Sequence, residues 1–482
     1  MQFNSYYFIL FFLPLTIILY FFLNRINYAF GKILIIFASI LFYSWGRANM
    51  LVYLGVSISI NYLFAFIIRR FHIRRKGVMA MPIVVNVGLL LYFKYLNFAI
   101  LNINYILNKS FQFRNIVLPL GISFYTFQQI AYIVSIENGE LESNELIDYL
   151  AYILYFPKLV MGPIIDPVDF VLQINQSERK IANADNIASG IKLFSFGLFK
   201  KVLLADTFAK AVTWSFENID KLTAMDSMLL VLFYSFEIYF DFSGYSDMAT
   251  GVSSMINIDL PINFDSPYKA ISIRDFWKRW HISLTKFLTK NIYIPLGGSK
   301  KGKLLTYLNV LIVFLVSGLW HGANWTFIVW GGAHGLLSCL DRAFERIEER
   351  VFLPVRWITT FFCTSILWML FRAESITQWK NIMCKILLMQ DTSVSEGLIM
   401  HFKIAESSFM INILHLDFFN NSIRGFAMLI FIFVAMSICF IPENNYRNKY
   451  KIGVSSMITA AIVFAWGVLC LGSESTFVYF GF

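Results

Sequence analysis

Charge is what this 482-residue chain has least of: Asp, Glu, Lys and Arg together make up 15% of it. A soluble domain carries roughly 25%, so a water-facing surface cannot be covered from this inventory. Acid is scarcer than base, 30 residues against 40, which leaves a formal net charge of +10. In a soluble protein that excess points to nucleic acid. In a chain that is 58% hydrophobic, with a mean hydropathy of +0.63, it points to cytoplasmic loops, and no nucleic-acid partner is expected. Cysteine is also sparse. Cys339, Cys363, Cys384, Cys439 and Cys470 show no CxxC spacing and mostly sit inside apolar stretches, which argues against a disulfide framework and a zinc site. The GxSxG, P-loop, GxGxxG and HExxH patterns are missing, so ATP-driven pumping and metal-dependent hydrolysis lose ground, and neither metal nor bound cofactor is expected. Histidine-based acid/base or acyl-transfer chemistry remains, or a secondary transporter.

Long apolar runs are abundant. A membrane helix needs about 20 mostly apolar residues, and candidate stretches lie near 7–23, 30–45, 50–68, 78–98, 116–135, 146–164, 187–204, 227–248, 304–319, 324–340, 354–371, 424–441 and 452–471. The expectation is an all-α polytopic membrane protein, a single membrane domain over 1–482 with roughly 11–13 transmembrane or re-entrant helices. The first run lacks a basic n-region and a small-residue cleavage site and reads as a retained span. Arg69, Arg70, Arg74, Arg75 and Lys76 form the strongest early basic cluster, which the positive-inside rule places in the cytoplasm. Both termini then lie outside, since Arg447, Lys449 and Lys451 precede the last run. Residues 373–423 read as an extracytoplasmic loop with short amphipathic pieces, 265–303 as a basic cytoplasmic face, and 472–482 as an aromatic tail.

Three histidines interrupt or border apolar runs. His321 lies in Ser317-Gly318-Leu319-Trp320-His321-Gly322-Ala323-Asn324-Trp325, where a titratable ring is costly unless it faces a cavity or partner. It could equally be a packing histidine, and Gly318 and Gly322 a helix-packing pair. His281 lies in Asp275-Phe276-Trp277-Lys278-Arg279-Trp280-His281-Ile282-Ser283-Leu284, where aromatics and bases alternate as in an interfacial helix whose cations meet phosphates. His334 is a weaker candidate, with no charged neighbour in sequence. Glu237 and Asp241, four apart, share a helix face and could be an acid/base pair or could pair with an arginine to hold two helices together.

Further blocks are Ser123–Gln128, Tyr155–Ile164, Tyr239–Asp247, Asn263–Tyr268 and Tyr293–Gly298, together with the opening Phe3-Asn4-Ser5 and the closing Phe477-Val478-Tyr479-Phe480. With Asp275–Leu284 and Gly318–Trp325 they run in order along nearly the whole chain. In them the chain resembles the membrane-bound O-acyltransferases, in particular the bacterial branch with alginate O-acetylase and the peptidoglycan O-acetyltransferases. One departure is Ser135-Ile136-Glu137-Asn138-Gly139-Glu140, where relatives tend to have aspartate, tyrosine and arginine before the glycine.

The resemblance implies that His321 is the catalytic histidine and His281 the second one. It implies acyl transfer, with acetyl-CoA at the cytoplasmic side as the donor, toward hydroxyls of an extracytoplasmic polysaccharide such as alginate or peptidoglycan. Neutral imidazole, with a pKa near 6.5, suits removal of a hydroxyl proton. Lys278 and Arg279, with Lys300, Lys301 and Lys303, would attract donor phosphates, and Trp320, Asn324 and Asp241 are assigned to substrate binding. The resemblance also implies an extracytoplasmic acetyltransferase as partner, in an inner membrane whose lipid surrounds the chain. Tyr479 in the tail is either an acyl relay, through an activated tyrosyl ester, or an interfacial anchor. D-alanyl transfer to teichoic acid from a carrier protein is the near alternative, and a transporter with proton-relaying histidines the distant one.

Overall fold

A computed structural model describes residues 1–71, 76–141, 145–348, 350–402, 420–472 and 477. Its regular elements are all helical among the described residues. They are α1 (Leu13–Ile26), α2 (Tyr28–Ser44), α3 (Met50–Arg70), α4 (Lys76–Leu90), α5 (Leu96–Leu107), α6 (Ile122–Glu137), α7 (Leu146–Leu154), α8 (Pro167–Asn175), α9 (Ala184–Phe199) and α10 (Asp206–Glu217). There follow α11 (Ala224–Met255), α12 (Ile273–Arg279), α13 (Ile282–Leu288), α14 (Lys303–His321), α15 (Trp325–Ala343), α16 (Leu353–Arg372), α17 (Ile376–Leu388), α18 (Asn420–Phe440) and α19 (Val454–Leu469).

Six helical stretches among the described residues are long and apolar enough to cross a membrane: Phe8–Ile26, Met50–Arg70, Ala80–Leu107, Lys303–His321, Leu353–Arg372 and Asn421–Phe440. The helices Tyr28–Ser44 and Val454–Leu469 are apolar but shorter. The outward faces are those of a lipid-bathed protein, as on the first span, where Leu15, Ile18 and Phe22 are exposed. The apolar run 146–164 is not one helix. Helix α7 stops at Leu154 and a separate turn, Phe156–Leu159, follows. Pro157 explains the break, because inside a continuous helix it would lose a hydrogen bond and clash with the preceding turn, whereas at the start of a new turn its missing N–H is harmless. In the stretch 373–423, α17 and a short turn at Glu396–Ile399 are described, and 403–419 lie outside the described residues.

The chain divides into two compact units. One comprises Met1–Gly197, Tyr245–Ile262 and Asn448–Phe482. Within it Phe3 stacks on Tyr245 at 4.9 Å between ring centroids, and Phe477 meets the same tyrosine edge-on at 5.1 Å, so the opening and closing motifs share one anchor. A buried Lys32–Asp148 pair (2.6 Å) joins α2 to α7, and Asn175 bonds both partners. Asp259 holds Arg179 and Lys449, each at 3.0 Å.

The other unit comprises Leu198–Gly244 and Asn263–Arg447. Its centre is the antiparallel hairpin of α14 and α15, against which α12 and α16 pack. A Cβ on Gly318 would lie 2.4 Å from the carbonyl oxygen of Phe327, and one on Gly331 2.4 Å from that of Phe314. The two backbones therefore touch where only hydrogen fits, as in small-residue packing between membrane helices. Gly322 also packs on α15, since a Cβ there would enter the Phe327 ring.

Candidate active site

The glycine contacts and the cap of α15 fix where the late histidine stands. His321 is the last residue of α14, and Asn324 caps α15 by accepting the Thr326 N–H (3.2 Å). The other end of the Asn324 amide donates to the Glu374 carbonyl (2.9 Å), so its polar atoms are engaged in holding the turn. The His321 ring is 4% exposed. Trp320 and Phe371 lie at 4.9 Å from it, and Trp330 meets it edge-on at 5.3 Å.

His281 comes from a different direction. It occupies the junction between α12 and α13 at φ 44°, ψ 50°, the left-handed region that a histidine rarely adopts. This turn brings its ring to 6.5 Å from that of His321, with Trp320 at 6.3 Å. Asn263 fixes its tautomer. The Asn263 Oδ1 accepts the backbone N–H (3.3 Å) and the hydroxyl (2.9 Å) of Ser283, which identifies that atom as the amide oxygen. His281 Nδ1, 3.0 Å from the same oxygen, must then carry the hydrogen and donate. Nε2 is left with a lone pair and no partner among the described residues. Burial pushes the imidazole pKa down to about 3, so the ring is neutral at working pH.

The remaining expected residues divide. Asp241 accepts from Lys201 (2.7 Å), whose ammonium also reaches Asp206 (2.8 Å), so of the two earlier alternatives for this acid the helix-bridging one is seen, with a lysine in place of the expected arginine. Glu237 is buried one turn away, its Oε2 without a hydrogen-bond partner among the described residues. Arg279 is tied to Asp275 (2.9 Å) and to the Asp265 carbonyl (3.3 Å). Lys278 is exposed and makes no ion pair among the described residues. His334 accepts from Trp277 Nε1 (3.3 Å). Tyr479 lies outside the described residues. No group of three His, Cys, Asp or Glu side chains placed to hold a metal occurs among the described residues.

A groove of about 290 Å³ opens between α12–α13 and the hairpin, lined by Tyr307, Val310, Phe314 and Ser317 of α14 together with Lys278 and Arg342. These α14 positions form one stripe, and its next step, four residues on, is His321. The polar entrance carries Arg274, Lys278 and Arg342. Arg274 is neutralised by Asp341 (3.4 Å) and Glu345 (2.9 Å), whereas Lys278 and Arg342 have no carboxylate partner among the described residues. Arg342 and the indoles of Trp330 and Trp368 lie outside the motif blocks, while Asn263 and Trp277 lie inside them without a role legible from sequence. The density of tryptophan around the histidine blocks is the one signal available for them.

Comparison with known proteins identifies the family. The model of the family described as MBOAT, membrane-bound O-acyltransferase, matches residues 138–373. A peptidoglycan O-acetyltransferase of Helicobacter pylori is 33% identical over all of this chain and 97% of its own length. A probable alginate O-acetylase, AlgI, of Pseudomonas aeruginosa is 37% identical over 78% of this chain and 73% of the relative. A teichoic acid D-alanyltransferase of Streptococcus thermophilus is 32% identical over 48% of this chain and 59% of the relative. The matched stretch contains His281, His321 and His334, the groove and the glycine-packed hairpin, and the chain belongs to the membrane-bound O-acyltransferases.

Proposed function

We propose that this enzyme takes an acetyl group from a cytoplasmic thioester, acetyl-CoA, and transfers it toward hydroxyls of an extracytoplasmic polysaccharide, peptidoglycan or an alginate-like polymer. One observation carries the reading: the groove has two uncompensated cations, Lys278 and Arg342, in its wall, and its α14 stripe runs to Ser317, one helical step from His321. A phosphate-bearing head suits Lys278 and Arg342, and an extended apolar arm suits the stripe. His321 acts as the base that removes the hydroxyl proton during attack. His281, whose Nε2 can only accept, orients the donor by accepting an N–H from its arm.

The relatives named for O-acetylation of peptidoglycan and alginate are similar over 78% of the chain or more, and the one named for D-alanylation over 48%. This favours acetyl over D-alanyl. The basic groove entrance is assigned to the cytoplasmic side of an inner membrane, with both termini outside. A separate extracytoplasmic acetyltransferase is assigned as the partner that completes transfer, with Tyr479 as relay or anchor of the tail. The deciding experiment gives the purified enzyme radiolabelled acetyl-CoA with peptidoglycan fragments or alginate oligosaccharides and measures alkali-labile label. Transfer from a D-alanyl carrier protein, with none from acetyl-CoA, would overturn the reading.

A further inference from the structure

Close to the His321 ring, two buried nitrogens carry hydrogens that no group among the described residues accepts. Trp277 Nε1–H donates to His334 Nδ1, and an imidazole nitrogen that accepts has no proton, so His334 carries its hydrogen on Nε2. That Nε2–H and the Nε1–H of Trp330 lack a hydrogen-bond partner among the described residues, whereas the Trp368 indole N–H donates to the Tyr268 hydroxyl. All three residues are 0% exposed. Their ring centroids are 5.0 Å (Trp330–His334), 5.7 Å (Trp330–Trp368) and 6.2 Å (His334–Trp368) apart. Trp330 is also the one whose ring meets that of His321 at 5.3 Å. The surrounding rings of Phe276, Phe314 and Phe371 offer no acceptor atom.

An unpaired buried donor costs about 1–3 kcal/mol, and here two share one cluster beside the reacting histidine. Such a set calls for an oxygen supplied by a ligand. His281 cannot fill the same role, because its inner nitrogen presents a lone pair.

We propose that Trp330, supported by His334, binds the carbonyl oxygen of the acyl group and is a further catalytic residue of the transfer, an assignment that rests on the acyl-transfer reading above. As His321 takes the hydroxyl proton, the hydroxyl oxygen bonds to the carbonyl carbon and the C=O electron pair moves onto oxygen. The Trp330 N–H stabilises that oxyanion. The pair then returns, the C–S bond breaks, and the departing thiolate takes the proton from the imidazolium.

The test replaces Trp330 with benzothienylalanine, which keeps the bicyclic shape and exchanges N–H for sulfur. The expected result is a fall in kcat of about 10²-fold, with KM for acetyl-CoA within about twofold and an unchanged melting temperature. A second measurement is independent of turnover. The infrared carbonyl band of a ¹³C-labelled ketone analogue of acetyl-CoA should move to lower frequency in the wild type and lose that shift in the variant. Full kcat in the variant, or a band that does not respond to it, would overturn the proposal and indicate that the indole N–H is satisfied by a ring face or a trapped water. Failure of the underlying reading looks different: the wild type itself then shows no acetyl transfer above His321→Ala.

Discussion

His281 and His321 stand with their rings 6.5 Å apart and inclined by 53°, one at a strained junction between two short helices and the other at the end of a membrane-length helix. Only His321 continues the α14 stripe whose stretch from Tyr307 to Ser317 lines the groove.

His321→Ala should lower acyl transfer by about 10²- to 10⁴-fold, the usual loss for a general base. The measurement is turnover of purified protein, with melting temperature recorded in parallel. Retention of most of the activity would move the base elsewhere, and a collapse in stability with proportionate loss of activity would mark a packing histidine.

Lys278→Ala combined with Arg342→Ala should raise KM for acetyl-CoA more than it lowers kcat, since phosphate attraction acts on binding. The difference from wild type should shrink as salt is raised. Arg279→Ala should behave otherwise, because that guanidinium is committed to Asp275 and the Asp265 carbonyl. Its loss should appear in stability before KM.

His281 gives a pH dependence with a definite sign. Its pKa is about 3 in the folded protein because burial disfavours the charged ring, against about 6.5 when unfolded. Between these values the unfolded state binds more protons, so the contribution is intact above about pH 6.5 and is progressively lost as pH falls toward 3. His281→Asn keeps a residue that tolerates the left-handed backbone and removes the titration. Melting curves in detergent from pH 7.5 to 4.5 should therefore fall less steeply for the variant than for the wild type.

Gly331→Ala should destabilise the hairpin, by about 1–3 kcal/mol as for overpacking, because the new methyl would meet the Phe314 carbonyl at 2.4 Å. Gly332→Ala, whose nearest neighbour is the Leu315 Cδ2 at 3.6 Å, should be nearly neutral. Equal melting temperatures for the two variants would contradict the close backbone approach.

Much of this was legible in the chain. Hydropathy located most helices, because a span must be apolar over its whole length, and the motif blocks singled out His281 and His321. The break after Leu154 was not read from hydropathy, since Tyr155–Ile164 is as apolar as a continuous helix; Pro157 was the available signal. The commitments of Asn324, Asp241 and Arg279 depend on Glu374, Lys201 and Asp265, partners remote in sequence or joined through the backbone, and composition carries no trace of them. His334 looked weak for lack of charged neighbours, yet its tautomer is set by an indole on another helix.

Helix α14 rises about 28 Å from Lys303 to His321 at 1.5 Å per residue, close to the roughly 30 Å of a bilayer's hydrocarbon. An acetyl group carried along it is uncharged, and the proton of the acceptor hydroxyl passes to imidazole and then to the departing thiolate at one place. Voltage does about 2.3 kcal/mol of work per elementary charge per 100 mV, and in this scheme no net charge crosses. On the proposed reading the transfer is electrically silent: its direction would come from the thioester alone, and a collapsed membrane potential should leave its rate unchanged.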